Sequence, residues 1–188
     1  MIHNASCLSA HICGFLSDDE VNKLRGEAND VDYKRHESSV DGLTARRSGL
    51  AKLESAFAMS IRDRIRRVAA QANAEWGLEI DGPSEPWLYL CRYGEGDQFQ
   101  WHRDWAPGRP TVSRWKIGAS LQLSPHDAYN GGEFEFFTGS EKCPVWTAPR
   151  DAGALTLFIA HAFHRVAPIT AGCRLAAVMF VAGLHPLK

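Results

Sequence analysis

Hydrophobic positions change their spacing partway along the chain. In Leu16-Ser17-Asp18-Asp19-Glu20-Val21 the order of residues is that of a helix start: Ser17 can cap the amide of Glu20, Glu20 can reach back, and Leu16 can meet Val21 as a hydrophobic staple. A short helix is expected over about residues 18 to 28. The polar stretch that follows, through Arg47 and containing Gly42, predicts a loop or irregular edge strand. From Leu50 to about Trp76 the apolar residues Leu53, Phe57, Ile61, Ile65 and Val68 recur every three or four positions, the period of an amphipathic helix, with Gly77 and Gly82-Pro83 marking its end. Thereafter Trp87–Cys91, Trp115–Leu123, Phe134–Phe136, Ala154–Ile159 and Leu175–Val181 are strand candidates separated by Gly/Pro-rich turns. Helices first and strands afterwards predict a mainly β protein whose N-terminal helices support one side of an antiparallel, barrel-like or sandwich sheet. The chain is expected to be one domain over 1-188, with 1-82 a helical support region and 83-188 most of the β core.

Composition narrows the class only slightly. With 45% hydrophobic and 23% charged residues the chain is that of an ordinary globular protein, and its net charge of -1 argues against broad phosphate-driven binding to nucleic acid. The basic run Arg62–Arg67 lies within the helical pattern and reads first as a solvated face. Cysteines at 7, 13, 91, 143 and 173 form no close Cys-x-x-Cys pair, which fits reduced thiols. No stretch approaches the roughly 20 apolar residues of a membrane span, and no leader pattern opens the chain, so a cytoplasmic location without an obligatory protein partner is expected.

Candidate chemistry begins with His102 and Asp104. Two positions apart on a plausible strand, they send an imidazole and a carboxylate to one face, where they could share a divalent ion. His-x-Asp is a weak motif alone. A third ligand could come from His161 or His164, and spacing does not choose between them; either completes a set of two imidazoles and a carboxylate, suited to non-haem iron and also to hydrolytic zinc. Arg174 opens the apolar stretch Leu175–Val181, so its guanidinium is drawn toward the core and calls for an anionic partner, for which a carboxylate fits its planar fork. Iron(II), Asp104, Arg174 and a dicarboxylate would sum to zero formal charge.

These residues sit within ordered motifs: Tyr93-Gly94-Glu95-Gly96-Asp97-Gln98-Phe99-Gln100-Trp101-His102-Arg103-Asp104, then Asn130-Gly131-Gly132-Glu133-Phe134-Glu135-Phe136, then His164 through Arg174. In them the chain resembles the iron(II)- and 2-oxoglutarate-dependent oxygenase superfamily, particularly its prolyl 4-hydroxylase-like branch, over about half its length. The resemblance implies a double-stranded β-helix, a jelly-roll or cupin-like core. It implies His102, Asp104 and His164 as iron ligands, selecting His164 over His161, and Arg174 as the anchor for the distal carboxylate of 2-oxoglutarate. Tyr93 falls where similar enzymes place a hydroxyl near the cosubstrate. Gln122 sits near a position where several relatives use tyrosine, and Ser120 shares its strand face. Phe180 stands where relatives often have tryptophan. The Gly131-Gly132 pair permits a tight turn or a close backbone approach. The implied reaction consumes molecular oxygen, releases succinate and carbon dioxide, and hydroxylates a positioned C–H bond.

Substrate recognition is less defined. Trp105-Ala106-Pro107-Gly108-Arg109-Pro110 follows the ligand pair and could form a selectivity loop. Trp101, Trp105 and Trp115 could pack a substrate or serve structure, and Arg103, Arg109 and Arg114 could meet an acidic group or solvent. Arg46-Arg47-Ser48-Gly49-Leu50 could form a substrate-facing edge, Arg47 included. The expected substrate is a peptidyl residue, a free amino acid or a small metabolite. The alternatives are an oxidative nucleic-acid demethylase, a zinc-dependent hydrolase, and a non-enzymatic interaction domain with a degenerate metal site.

Overall fold

Strand alternation in this chain divides one curled sheet into a face that meets helices and a face that encloses a cavity. The computed structural model describes residues 3–6, 8–40, 43–82, 87–105, 114–139 and 145–184. In chain order the elements are β1 (His3–Ser6), β2 (Ser9–Ile12), α1 (Asp18–Asn29), β3 (Lys34–Val40), β4 (Leu43–Leu53), α2 (Ala56–Trp76), β5 (Leu88–Tyr93), β6 (Gln98–His102), β7 (Trp115–Gln122), β8 (Tyr129–Gly131), β9 (Phe134–Phe137), β10 (Val145–Thr147), β11 (Leu155–Ile159), β12 (His164–Val166), β13 (Ile169–Gly172) and β14 (Arg174–Ala182). The main sheet runs β1-β2-β11-β7-β14-β5-β4-β6-β12-β9-β10, with β3 paired to β4, while β8 and β13 form a separate ribbon. The curled antiparallel sheet is the double-stranded β-helix core that the sequence motifs imply.

On the outer face Leu88, Leu90, Ile117, Leu121, Leu155, Leu157 and Met179 pack against Leu24 of α1 and Ile61, Ile65 and Ala69 of α2. Each large aliphatic side chain fully buried there contributes roughly 1.5–3 kcal/mol. The inner face carries Cys91, Tyr93, Phe134, Phe136, Phe158 and Val166. Strand β4 joins the two halves of the sheet, because Leu50 and Gly49 pair with Cys91 and Arg92 of β5 whereas Arg46 and Arg47 pair with Phe99 and Gln98 of β6. The β5–β6 turn is pinned by Asp97, whose buried carboxylate accepts two bonds from Arg35 of β3, at 2.7 and 3.0 Å, and one from the Gly94 amide at 2.9 Å.

The capping box at Ser17 and Glu20 is present, and α1 follows the predicted span closely. The second helix is shorter than its periodicity predicts: it starts at Ala56, capped by Ser55, and residues from Leu43 to Leu53 belong to β4. Leu50 and Leu53 explain the difference. A separation of three places side chains on one helix face but on opposite sheet faces, and here Leu53 joins the helix-packed cluster while Leu50 packs against the inner one. The region 1-82, expected to be helical support, therefore also supplies four strands, β1 to β4, to the sheet.

Of the close approaches that depend on glycine, two bear on the inner face and the β8–β13 ribbon. At Gly131, with φ of 71°, a Cβ would lie 2.1 Å from the Pro168 carbonyl oxygen, so the tight approach expected of the Gly-Gly pair is what joins β8 to β13. At Gly118 a Cβ would lie 2.3 Å from the Phe158 ring, which itself stands 4.7 Å from the His164 ring between centroids. Gly118→Ala is expected to lower stability by about 1–3 kcal/mol through overpacking. Gly26→Ala, in an exposed turn of α1 with open space around it, is expected to raise stability by about 0.5–1 kcal/mol. Equilibrium urea unfolding of the two variants checks both signs.

Candidate metal centre

Strand pairing creates the centre. On β12, His164 lies directly opposite His102 of β6 and Phe136 of β9. A bulge in β6 sets Phe99 opposite Val166, three residues spanning two, which turns both Phe99 and His102 inward. Asp104 is not on the strand, contrary to the simple alternation argument: β6 ends at His102, and the following bend is held by the Asp104 and Trp105 amides, both donating to the Ala160 carbonyl at 3.1 and 3.2 Å. The bend still returns the carboxylate to the histidines. Asp104 Oδ1 lies 3.5 Å from His102 Nε2, Asp104 Oδ2 lies 3.5 Å from His164 Nε2, and one ligand atom from each residue falls within 4.8 Å of the others.

Both imidazoles are oriented by their own backbone. His102 Nδ1 lies 2.7 Å from the Gln100 carbonyl and His164 Nδ1 lies 2.8 Å from the Ala162 carbonyl. Each Nδ1 donates there, leaving the Nε2 lone pair for a cation, the arrangement by which outer contacts fix the tautomer of metal-binding histidines. Burial pushes His164 down to about 4, with His102 adding to the depression and Asp104 opposing it, so the ring is neutral at neutral pH. For Asp104 burial acts to raise the pKa, but His164, His102 and Arg46 together outweigh it and hold the carboxyl below its ordinary value. Two imidazoles and one carboxylate on one side of an open cavity fit iron(II), leaving coordination positions free.

The centre opens into a cavity of about 510 Å³. Of the sequence-predicted residues, Tyr93, Ser120, Arg174, Arg103 and Trp115 line it together with the His–Asp–His cluster. Arg174 is 3% exposed, lies opposite Tyr93 across the β14–β5 pair, and has no carboxylate in ion-pair range among the described residues. Gln122 lies behind this wall, in a small recess with Ser120 and Arg174, where its amide nitrogen donates to the Ser124 carbonyl at 2.8 Å and the Tyr129 hydroxyl at 3.0 Å.

Other candidates fall elsewhere. Arg47 points outward and pairs with Glu37 at 3.2 Å. Trp101 stacks on Phe163 on the outer side of the sheet, under the Arg165 guanidinium. Trp105 and His161 pack ring against ring, 4.2 Å between centroids, outside the cavity lining. Arg114 is exposed, and Arg109 lies outside the described residues. Arg46, in the sequence one member of a possible edge, is the inward arginine of β4. Tyr89 and Val178 also line the cavity; the signal that could have found them is strand parity, since 174, 176, 178 and 180 share a face and Val178 pairs with Tyr89.

A curled antiparallel sheet with an inward His–Asp–His cluster and a buried arginine defines a class of oxygenase, and the comparisons agree. The chain belongs to the 2OG-Fe(II) oxygenase superfamily, whose profile matches residues 88–182, just over half of the 188. It is a 2-oxoglutarate-dependent oxygenase, with iron(II) and 2-oxoglutarate as cofactors and molecular oxygen as cosubstrate. Within that class its sequence is similar to PKHD-type hydroxylases and its fold to prolyl hydroxylases. It is 26% identical over 178 residues to a PKHD-type hydroxylase of Alteromonas mediterranea, covering 88% of this chain and 74% of that one. Its fold matches a Pseudomonas putida prolyl-4-hydroxylase with a TM-score of 0.72 at 17% identity, covering 94% of this chain and 93% of that one. It also matches a prolyl hydroxylase from Trichoplax adhaerens, bound to a hypoxia inducible factor peptide fragment, with a TM-score of 0.73 at 16% identity over 93% and 83% of the two chains.

His164→Ala is expected to abolish stoichiometric binding of manganese(II), used as an air-stable probe, whereas His161→Ala binds it as the wild type does. Calorimetric titration of the two variants distinguishes the histidines.

Proposed function

We propose that His102, Asp104 and His164 hold iron(II), that Arg174 receives the distal carboxylate of 2-oxoglutarate, and that the enzyme hydroxylates a C–H bond of a peptidyl residue, free amino acid or small metabolite with release of succinate and carbon dioxide. The observation that carries this reading is Arg174, a buried guanidinium without a protein acid among the described residues, facing the same cavity as the His–Asp–His cluster. An unpaired buried cation is costly, and a dicarboxylate removes that cost with the planar fork geometry that arginine offers.

Bound iron and 2-oxoglutarate supply the oxidising power. The chain's own residues supply placement. Nε2 of each histidine and the Asp104 carboxylate offer three ligands on one side. Tyr93, whose phenol burial keeps protonated by raising its pKa, can donate a hydrogen bond to a cosubstrate carboxylate. Ser120, beside Arg174 on the inner face, offers a second hydroxyl. Leu50, Phe99, Val178 and Phe180 keep the wall of the cavity apolar, which limits water at the reacting centre. The PKHD-type relative and the prolyl hydroxylases of the same fold support hydroxylation as the reaction. The net charge of -1 and an inner face with Asp104, Arg46, Arg103 and Arg174 as its charged carboxylate and guanidinium groups offer little track for a nucleic-acid strand.

Iron-loaded protein incubated with 2-oxoglutarate and candidate substrates is expected to form succinate together with a product heavier by one oxygen atom. Hydrolytic turnover without succinate, supported by zinc, would overturn the reading. Asp104→Ala is expected to lose metal binding while Arg174→Ala retains it and weakens 2-oxoglutarate by about 2–5 kcal/mol, the usual cost of truncating one member of a buried charge pair. Separate titrations of metal and cosubstrate check that division.

A further inference from the structure

The cavity has a second end that the metal cluster and Arg174 do not account for. Phe180 lies six residues along β14 from Arg174, about 20 Å at the rise of an extended strand. At that end the Trp115 and Phe180 rings stack face to face, 3.9 Å between centroids and 3° between planes, with Tyr89 and Val178 on the same lining. Stacked rings present a flat apolar wall.

Arg46 is the charged group held in place near the metal cluster, on the lining of the same cavity. Its Nε donates to Ser48 Oγ at 3.1 Å, and its guanidinium lies 4.7 Å from the centroid of Phe99, which in turn stacks on His102 at 3.4 Å. Its positive charge reaches Asp104, Cys91 and Tyr93. Among the described residues no carboxylate forms an ion pair with it, so its terminal nitrogens remain available. Arg103, the other arginine at the mouth, is turned away: its Nε donates to the His161 carbonyl and its guanidinium lies over Phe163.

Charge decides what Arg46 can take. Iron(II), Asp104, Arg174 and 2-oxoglutarate sum to zero, so the half-buried Arg46 leaves a single positive charge on the cavity wall. A monoanion cancels it, whereas a phosphate monoester near its dianionic form overshoots. Asp104 is the sole carboxylate among the described lining residues, and it faces the histidines, so an ammonium group would find no carboxylate to pair with.

We propose that Arg46 is the receptor for a substrate carboxylate, and that the substrate is an apolar monocarboxylate without a free amine, such as an N-acyl amino acid, whose body rests on the Trp115–Phe180 pair. This deepens the hydroxylase reading and rests on it: Arg46 holds the acid group beside the metal ligands and the aromatic wall selects a flat or bulky apolar body.

The test uses the full chain loaded with manganese(II) and 2-oxoglutarate, so that binding is read without turnover. N-acetylphenylalanine, N-acetylleucine and 3-phenylpropanoate are titrated calorimetrically against their amides and against free phenylalanine. The acids are expected to bind tighter than the amides and than the free amino acid by about tenfold or more. Arg46→Gln is expected to erase that preference while keeping wild-type affinity for 2-oxoglutarate, Arg46→Lys to restore part of it, and Trp115→Ala to weaken the aromatic acids most. Acids that bind no better than amides, or no binding by any acid while 2-oxoglutarate still binds, overturn the proposal and leave the hydroxylase reading standing. Loss of 2-oxoglutarate affinity in Arg46→Gln overturns it in favour of Arg46 as a cosubstrate contact. Failure of the wild type to bind 2-oxoglutarate overturns the hydroxylase reading itself.

Discussion

The pairing of β12 with β6 is the constraint on which the rest of the molecule depends. These strands are distant in sequence, and their register sets His164 directly across from His102. A slip of one residue on either strand would turn one imidazole to the outer side, where Trp101, Phe163 and Arg165 stack. The bulge in β6 adds a second condition, because it brings Phe99 inward beside His102 and so places an aromatic ring between the metal cluster and Arg46. Asp104 depends on the same pairing at one remove, since its bend hangs from the Ala160 carbonyl on the segment that leads into β12.

The two faces of the sheet divide stability from chemistry. Outward side chains of β5, β7, β11 and β14 meet two helices and form the larger apolar cluster, so the inner face need not be filled completely to hold the fold together. It encloses space instead, with Arg174 and Arg46 spaced along it by strand parity. Both cations are anchored locally: the half-buried Arg46 by Ser48 and Phe99, the buried Arg174 between the Tyr93 and Phe134 rings at 5.7 and 5.9 Å. Substitutions that stiffen the helical side need not disturb the inner face, because the two sets of residues share a backbone but few side-chain contacts.

How much of this was readable from the chain differs by element. The capping box at Ser17, the strands around Leu88, Trp115, Leu155 and Arg174, and the Gly131-Gly132 approach carry local signals, and each forms close to where its pattern places it. Strand β4 carries no such signal, because Leu50 and Leu53 have helix spacing and only pairing with β5 and β6 resolves the ambiguity. The His–Asp–His set was legible as a motif, and spacing alone left His161 and His164 equivalent. What separates them is tertiary: His164 enters β12 facing inward, while His161 remains in the preceding turn against Trp105. Arg47 and Arg46 show the same limit, since a parity that is fixed by β4 sends one to Glu37 and the other into the cavity.

Burial then sets the protonation of three groups on the cavity wall. It lowers His164 to about 4, which keeps a lone pair free, and it raises Cys91 to about 11. A thiol so shifted stays protonated and is a poor nucleophile and a poor metal ligand, so its place on the cavity wall does not compete with the imidazoles. Tyr93 is raised by the same cause and remains a donor. Asp104 goes the other way, because His164, His102 and Arg46 outweigh its desolvation. Neutralising the histidine, thiol and phenol leaves a single anion and two inward arginines, the buried Arg174 and the half-buried Arg46, on the cavity wall. With iron(II) held there, that imbalance biases the cavity toward anions: two negative charges on the cosubstrate, and room for one more.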